Sequence, residues 1–196
     1  MRVTIGLLRH FQTDWNRDHI LQGRADRPLT DAARAALTGL APPPPWDGAR
    51  VIASPLSRAQ DTAAALWPAF ETDARLTELD WGAWEGRRGA DLLADPSSGY
   101  GHVETWGWER RPPGGESPAD AWARVAPALA DIAAAGSDAA LVIHRGVMRV
   151  ILARAHGWDF DRPEPFAIRR ARLYPVTLGA DGAPRAAGPE IRLRPR

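Results

Sequence analysis

The sequence predicts an α/β layer fold with a largely parallel sheet. Short apolar runs alternate along the chain with longer segments that have helical periodicity. The first run, Val3–Leu8, is apolar throughout, as is typical of a strand buried on both faces of a sheet. The 196 residues suit one domain. A chain of this size buries roughly 70% of its unfolded surface, enough for a core without disulfides.

The first half of the chain continues with two helices and two strands. Thr30 precedes a run with apolar residues on one face, which predicts a helix capped by Thr30 and stopped by Pro42–Pro45. A short strand is predicted at Arg50–Ala53, and Ser57 is positioned to cap the next helix. A weaker strand signal lies at Arg75–Leu79.

The second half begins with a change of composition. Residues 81–115 are rich in Gly, Pro, Trp and charge, and we interpret them as a cap-like excursion from a single domain spanning 1–196. Ser117 then starts a helix with a capping-box pattern, in which Pro127 is expected to cause a kink. The remaining elements are a strand, a helix and a strand, at Ala139–Ile143, Gly146–His156 and Arg172–Leu178.

Composition excludes several kinds of chemistry. The chain has no cysteine, and all 25 of its Lys+Arg residues are arginine. A thiol nucleophile, a thiolate zinc site, a Walker-type phosphate loop and a lysine Schiff base are therefore excluded. The net charge of +1 gives no general attraction to nucleic acid or to an anionic membrane. We expect a soluble, cytoplasmic protein whose partner is a small molecule; the sequence carries no signal for oligomeric state.

Polar residues follow three predicted strands at the points where the strands end. They are Arg9 and His10, then Ser54 and Arg58, then His144 and Arg145. Ligands of α/β sheets bind beyond the carboxyl ends of the strands, so we expect these residues to form one pocket. Guanidinium groups match phosphate oxygens, and the N-termini of the helices near Ser57 and Gly146 are expected to add free N–H groups. The predicted ligand is a phosphate.

A histidine in such a pocket can act as a nucleophile. A neutral imidazole forms covalent intermediates, and attack on a phosphoryl group needs charge neutralisation and a proton for the leaving oxygen. Arg9 and Arg58 are candidates for the first task. Glu78, at the end of the third strand signal, is the candidate acid.

Six segments, in this order, resemble the histidine phosphatase superfamily, a phosphoglycerate mutase-like family that includes α-ribazole phosphatases. They are LLRHFQTDWN at 7–16, LQGRADRPLT at 21–30, ASPLSRAQDTA at 53–63, LTELDWGAWEG at 76–86, PGGES at 113–117 and VIHRGVMR at 142–149. The resemblance implies a three-layer α/β/α sandwich. It also implies a phosphomonoesterase of the histidine acid phosphatase type, which works through a phosphohistidine without metal or cofactor on a small phosphorylated metabolite.

The resemblance also assigns roles by position. His10 would be the nucleophile and Glu78 the proton donor. The phosphoryl group would be bound by Arg9, Arg58 and His144. Asn16 and Gly23 would lie at the rim of the pocket, with Thr13 nearby, as candidate substrate-binding residues.

Two residues depart from the pattern of the family. Phe11 stands where glycine usually follows the catalytic histidine, and its ring could narrow the pocket or tilt outward and pack on the excursion. Arg145 stands where a glycine is common, and it could bind a second anionic group or face solvent.

Three functions remain open on these observations. The first is a phosphatase. The second is a phosphoglycerate mutase, although the mutases of the family tend to be longer than this chain. The third is a phosphate-binding protein that has lost turnover, which Phe11 suggests.

The excursion carries four tryptophans that are expected over the mouth of the pocket. They are Trp81, Trp84, Trp106 and Trp108. They could enclose an apolar or ring-shaped leaving group, or they could only pin a loop-rich segment to the core.

Overall fold

The computed structural model describes residues 2–196. This described part of the chain has nine strands: β1 (Val3–Arg9), β2 (Leu40–Ala41), β3 (Arg50–Ala53), β4 (Glu71–Thr72), β5 (Ala139–Ile143), β6 (Arg172–Leu178), β7 (Pro184–Ala186), β8 (Ile191–Arg192) and β9 (Arg194–Pro195). The same residues form six α-helices: α1 (Asp14–Arg17), α2 (Asp31–Thr38), α3 (Ser57–Leu66), α4 (Gly89–Ala94), α5 (Pro118–Ala135) and α6 (Arg145–His156). Within 2–196, no helix is both long and apolar enough to cross a membrane.

The main sheet is mixed, with a parallel half that holds the site. Its order is β4-β3-β5-β1-β6-β7, and β8 also pairs with β6. Strands β4, β3, β5 and β1 are mutually parallel, whereas β6 runs antiparallel to β1 and is followed by antiparallel β7. A separate pair joins β2 to β9. The predicted α/β class with a mainly parallel sheet is confirmed.

Helices cover both faces of the sheet. Along β5, Leu141 and Ile143 belong to the apolar cluster that includes α5 and α6, whereas Ala140 and Val142 belong to the cluster that includes α2 and α3. Because alternate side chains of a strand point to opposite faces, this division places two helices on each side. The result is the predicted three-layer α/β/α arrangement.

Most of the predicted helix ends are present. The Thr30 side chain accepts a hydrogen bond from the amide of Ala33, and Ser117 forms a capping box with Asp120. Helix α6 ends at Gly157 in the left-handed conformation. Helix α2 stops at Thr38, before the proline run, and α5 continues through Pro127.

Two predictions about local structure are wrong. The strand expected at Arg75–Leu79 is absent, because β3 ends at Ala53 opposite Thr72 and offers no partner farther along. The chain instead forms a 3₁₀ turn at Ala74–Leu76. Ser57 is not a helix cap; it is the first residue of α3.

Candidate active site

A pocket of about 550 Å³ opens where β1 and β5 end. The register pairs Arg9 with Ile143, so the next residue of each strand, His10 and His144, leaves the sheet side by side. The centroids of the two imidazole rings are 5.1 Å apart. The polar side chains that line the pocket include Arg9, His10, Asn16, Gln22, Glu78, Arg145, Arg149 and Arg170. The polar strand ends therefore converge as the parallel topology predicts.

His10 is held in one tautomer by its own neighbour in the chain. Its Nδ1 lies 2.6 Å from the carbonyl oxygen of Phe11. A carbonyl can only accept, so Nδ1 carries the proton and Nε2 keeps its lone pair. No group among residues 2–196 is hydrogen-bonded to that Nε2. Burial, with the charges of Arg58 and Arg9, lowers the pKa of His10 well below its usual value, which keeps the ring neutral.

His144 and Arg58 form a buried pair behind His10. Arg58 donates from Nε to Nδ1 of His144 at 3.2 Å, which leaves the ring proton on Nε2, 2.7 Å from Oγ of Ser54. The remaining guanidinium nitrogens of Arg58 donate to the carbonyls of Ala25 and Gly23. Burial and the adjacent charge of Arg58 lower the pKa of His144. Both side chains are fully enclosed, so contact with a phosphoryl group requires an exchange of these partners.

Glu78 is fixed against the start of helix α6. Its Oε2 accepts from the amide of Gly146 at 3.1 Å, and its Oε1 accepts from the amides of Val147 and Leu79. Arg124 of α5 holds the loop that carries Glu78 by donating to its carbonyl oxygen and to that of Arg75. Although the predicted strand is absent, the carboxyl group therefore has one orientation on the pocket wall.

The N-termini of the two helices near the site are not free, which corrects the expectation that they would bind phosphate. The amides of Gly146 and Val147, the second and third residues of α6, donate to Glu78. At α3, the amide and hydroxyl of Ser57 both donate to Oδ1 of Asp26. Carboxylates of the protein thus occupy the sites that were expected for the ligand.

Arginines supply most of the charge of the pocket. Burial and the neighbouring charges of Arg170 and Arg145 lower the pKa of Arg9 to about 9, so Arg9 stays cationic at neutral pH. Arg145 and Arg149 share the carboxylate of Glu164, at 3.2 and 2.7 Å. The positive charge that the sequence predicted at the strand ends is therefore local and only partly neutralised.

A polar network fixes the residues expected at the rim. Oε1 of Gln22 accepts from Oγ1 of Thr13 at 2.6 Å and from Nδ2 of Asn16 at 3.2 Å. Asn16 and Gln22 line the pocket, whereas Thr13 is fully buried beneath them. Gly23 lies behind the wall, where a Cβ would come within 2.5 Å of the carbonyl oxygen of Leu79. Thr13 and Gly23 thus support the site from outside the pocket.

The excursion contributes one wall of the pocket. Trp81 and Trp106 line it and pack edge to face, with ring centroids 5.6 Å apart. Trp84 is buried next to Trp106, and Trp108 stacks under the guanidinium of Arg154. Of the four tryptophans expected at the mouth, Trp81 and Trp106 reach the pocket, Trp84 packs within the excursion, and Trp108 pins the excursion to the body of the protein.

Phe11 points away from the pocket. Its ring is 6% exposed and belongs to the apolar cluster of Leu8, Leu29 and α2. Its amide donates to Oγ1 of Thr62, and its φ is negative. Phe11 therefore neither narrows the pocket nor packs on the excursion, the two outcomes expected from the sequence.

The polar pocket residues that the sequence did not point to include Gln22, Glu104, Arg149 and Arg170. Gln22 and Arg149 lie inside two of the six motif segments, at 21–30 and 142–149, and this position is the only signal that the sequence offers for them. Arg170 had no signal, because it lies in a loop before β6. Among residues 2–196, no three His, Cys, Asp or Glu side chains are grouped as a metal site.

Comparison with known proteins identifies relatives along nearly the whole chain. The family model described as histidine phosphatase superfamily (branch 1) matches residues 5–186. The probable phosphoglycerate mutase GpmB of Enterobacter sp. (strain 638) is 37% identical over 187 residues, covering 87% of this chain and 80% of that protein. The glucosyl-3-phosphoglycerate phosphatase of Mycobacterium tuberculosis (strain H37Rv) is 33% identical over 166 residues, covering 75% and 72%.

A solved structure shares the fold. The native structure of a mycobacterial glucosyl-3-phosphoglycerate phosphatase superposes with a TM-score of 0.76 at 25% identity, covering 100% of this chain and 97% of that one. The similarity therefore includes the excursion and the tail as well as the sheet.

Proposed function

Because the chain belongs to the histidine phosphatase superfamily, we propose that it is a phosphomonoester hydrolase that acts through a phosphohistidine at His10. The observation that carries this proposal is the hydrogen bond from Nδ1 of His10 to the carbonyl of Phe11. It leaves the lone pair of Nε2 unshared in a pocket lined by cations, the arrangement that attack on a phosphoryl group needs.

In the first step, Nε2 of His10 attacks phosphorus, the N–P bond forms, and the bond from phosphorus to the ester oxygen breaks. Arg9 lines the pocket next to His10, so its positive charge faces the phosphoryl oxygens as negative charge spreads over them. Arg58 is enclosed behind the ring and adds its charge without contacting those oxygens. The lowered pKa of His10 favours this step, because a protonated imidazole has no lone pair with which to attack phosphorus.

Glu78 is the proton donor of the proposal. In its protonated form it gives a proton to the departing alcohol, and as a carboxylate it then takes a proton from the water that attacks phosphorus. The N–P bond breaks in this second step, inorganic phosphate leaves, and His10 is regenerated. The backbone amides of Gly146 and Val147 keep the carboxyl group in place through both steps.

The test is release of inorganic phosphate from a panel of phosphomonoesters by the native protein and by His10→Ala. We expect loss of release in the variant and an acid-labile phosphoenzyme in the native protein only. His156→Ala is the matched control, because His156 is an exposed histidine near the end of α6. Equal rates in the native protein and His10→Ala would contradict the proposal.

A phosphoglycerate mutase is the second candidate, favoured by the 37% identity to a probable phosphoglycerate mutase. The two activities share the phosphohistidine and differ in whether water or a second hydroxyl accepts the phosphoryl group. Incubation with 3-phosphoglycerate separates them. Conversion to 2-phosphoglycerate faster than release of phosphate would replace the hydrolase by the mutase.

The third candidate, a binding protein without turnover, depended on Phe11. The ring of Phe11 is packed in the core, and its carbonyl still orients His10, so the residue that motivated this reading leaves the nucleophile accessible. Tight binding of phosphate or vanadate with no turnover and no phosphoenzyme would revive it.

A further inference from the structure

Two arginines of the pocket are held by one partner each. Arg145 donates from Nη2 to Glu164 at 3.2 Å, and Arg170 donates from Nη2 to Oδ1 of Asn16 at 2.8 Å. Both side chains line the pocket, and these contacts hold their guanidinium groups at its wall. The roles given above to His10 and Glu78 use neither arginine.

Each of these arginines keeps a donor that is open to the pocket. The hydrogen bonds described above use only Nη2 of each side chain, and Nη1 makes no hydrogen bond within residues 2–196. Neither Nη1 is buried from water, unlike the Nε atoms of the same two residues, so an acceptor in the pocket can reach it. Two free guanidinium donors on two different arginines suit an acceptor with several oxygens.

The charges around the pocket lead to the same conclusion. Burial lowers the pKa of Arg170, and the neighbouring charge of Arg145 lowers it further. The acids that line the pocket are Glu78, whose oxygens are taken by backbone amides, and Glu104. Glu164 is shared between Arg145 and Arg149, and the partner of Arg170 is a neutral amide. Repulsion among these arginines would be relieved by an anion between them.

We propose, on the basis of the proposed hydrolase function, that the substrate is a phosphomonoester with a second anionic group, and that Arg145 and Arg170 bind that group. The shared chemistry of this group is a set of oxygens bearing negative charge, as in a carboxylate or a second phosphate. Arg9, next to His10, is left to the phosphoryl group that is transferred. A pocket of about 550 Å³ holds both ends of such a molecule.

Matched substrate pairs test this inference. 3-Phosphoglycerate and glycerol 3-phosphate differ by a carboxylate, and fructose 1,6-bisphosphate and fructose 6-phosphate differ by a phosphate. In at least one pair, we expect the native protein to prefer the molecule with the extra charge by roughly tenfold to a hundredfold in kcat/KM. This range corresponds to the strength of one or two charge-assisted hydrogen bonds. The pair that shows the preference identifies the group.

The variants Arg145→Gln and Arg170→Gln should lose this preference, mainly through a higher KM for the more charged substrate. Arg162→Gln, at an exposed arginine paired with Asp161, is the control that should keep it. A merely structural role for Arg145 or Arg170 would change both substrates of a pair by the same factor, and that result would overturn the inference.

Binding measured by calorimetry separates this inference from the proposed function. His10→Gln removes the nucleophile, so the affinities for the four compounds can be compared without turnover. Equal hydrolysis within both pairs by the native protein would overturn the inference and leave the hydrolase standing. If the native protein hydrolyses nothing, the hydrolase fails. Tighter binding of the more charged compound would then still support the inference, and equal binding would overturn it.

Discussion

The amide nitrogen of Gly146 lies 3.1 Å from Oε2 of Glu78, and a Cβ on residue 146 would come within 2.5 Å of Oε1 of the same carboxyl group. The residue after Arg145 therefore has to be glycine for the proposed acid to keep its position. This contact joins the start of α6 to a loop 68 residues earlier in the sequence.

Gly146→Ala should lower kcat, because the new methyl group displaces the carboxyl group that protonates the leaving alcohol. We expect a loss of about a hundredfold, the lower end of what a positioned acid contributes, with little change in KM. Gly48→Ala is the control, since a Cβ there meets nothing within 4 Å. An unchanged kcat in Gly146→Ala would argue against Glu78 as the acid.

Replacing Phe11 should affect stability and not turnover. The ring is buried in the apolar cluster around α2, so Phe11→Ala should reduce the free energy of unfolding by about 3–5 kcal/mol, as measured by urea titration. Phe11→Leu fills more of the space and should lose less. For Phe11→Gly, assayed at a temperature where it remains folded, we expect no gain in kcat. A large gain would mean that the ring obstructs the reaction after all.

The acid limb of the pH profile should lie below the ordinary histidine value of about 6.5. Burial and the charges of Arg58 and Arg9 lower the pKa of His10, so its neutral form persists into acid. Arg58→Gln removes one of these charges and should move the limb upward. The profile of kcat/KM must be measured with one substrate for both proteins, because phosphate monoesters also titrate near pH 6. A limb at the same pH in both would show that Arg58 does not tune His10.

Stability should fall as the solution is acidified below about pH 6.5. The pKa values of His10 and His144 are lowered in the folded protein, so the unfolded chain binds protons that the folded protein does not. Each histidine then lowers the free energy of unfolding by at most about 1.4 kcal/mol for every pH unit between its pKa in the unfolded chain and its lower pKa in the folded protein. The free energy of unfolding is measured by urea titration at several pH values between about 7.5 and 5.5, a range chosen around the ordinary histidine pKa. It should fall less steeply with decreasing pH in His144→Gln than in the native protein. The exposed His102→Gln is the control, and an unchanged slope in His144→Gln would contradict the prediction.

Local signals in the sequence predict the structure correctly where it depends on neighbours in the chain. The apolar runs became β1 and β5, and Thr30 and Ser117 cap their helices through amides only three residues away. The strand predicted at 75–79 is wrong because strand formation there depends on where β3 ends, which the local sequence does not show. The tail strands β7, β8 and β9 are two or three residues long, too short to show a period in the sequence.

The sequence by itself determined the fold class and the convergence of His10 and His144, because parallel strands bring their carboxyl ends to one edge. Only the tertiary structure decided what each side chain contacts there. In the folded chain, Glu78 and Asp26 accept hydrogen bonds from amides at the helix N-termini. Arg58 and His144 are enclosed behind the nucleophile. Arg170, from a distant loop, lies close enough to Arg145 for their charges to interact. The physical reason is that periodicity records which face of an element is buried, whereas hydrogen-bond partners are set by packing between segments far apart in the chain.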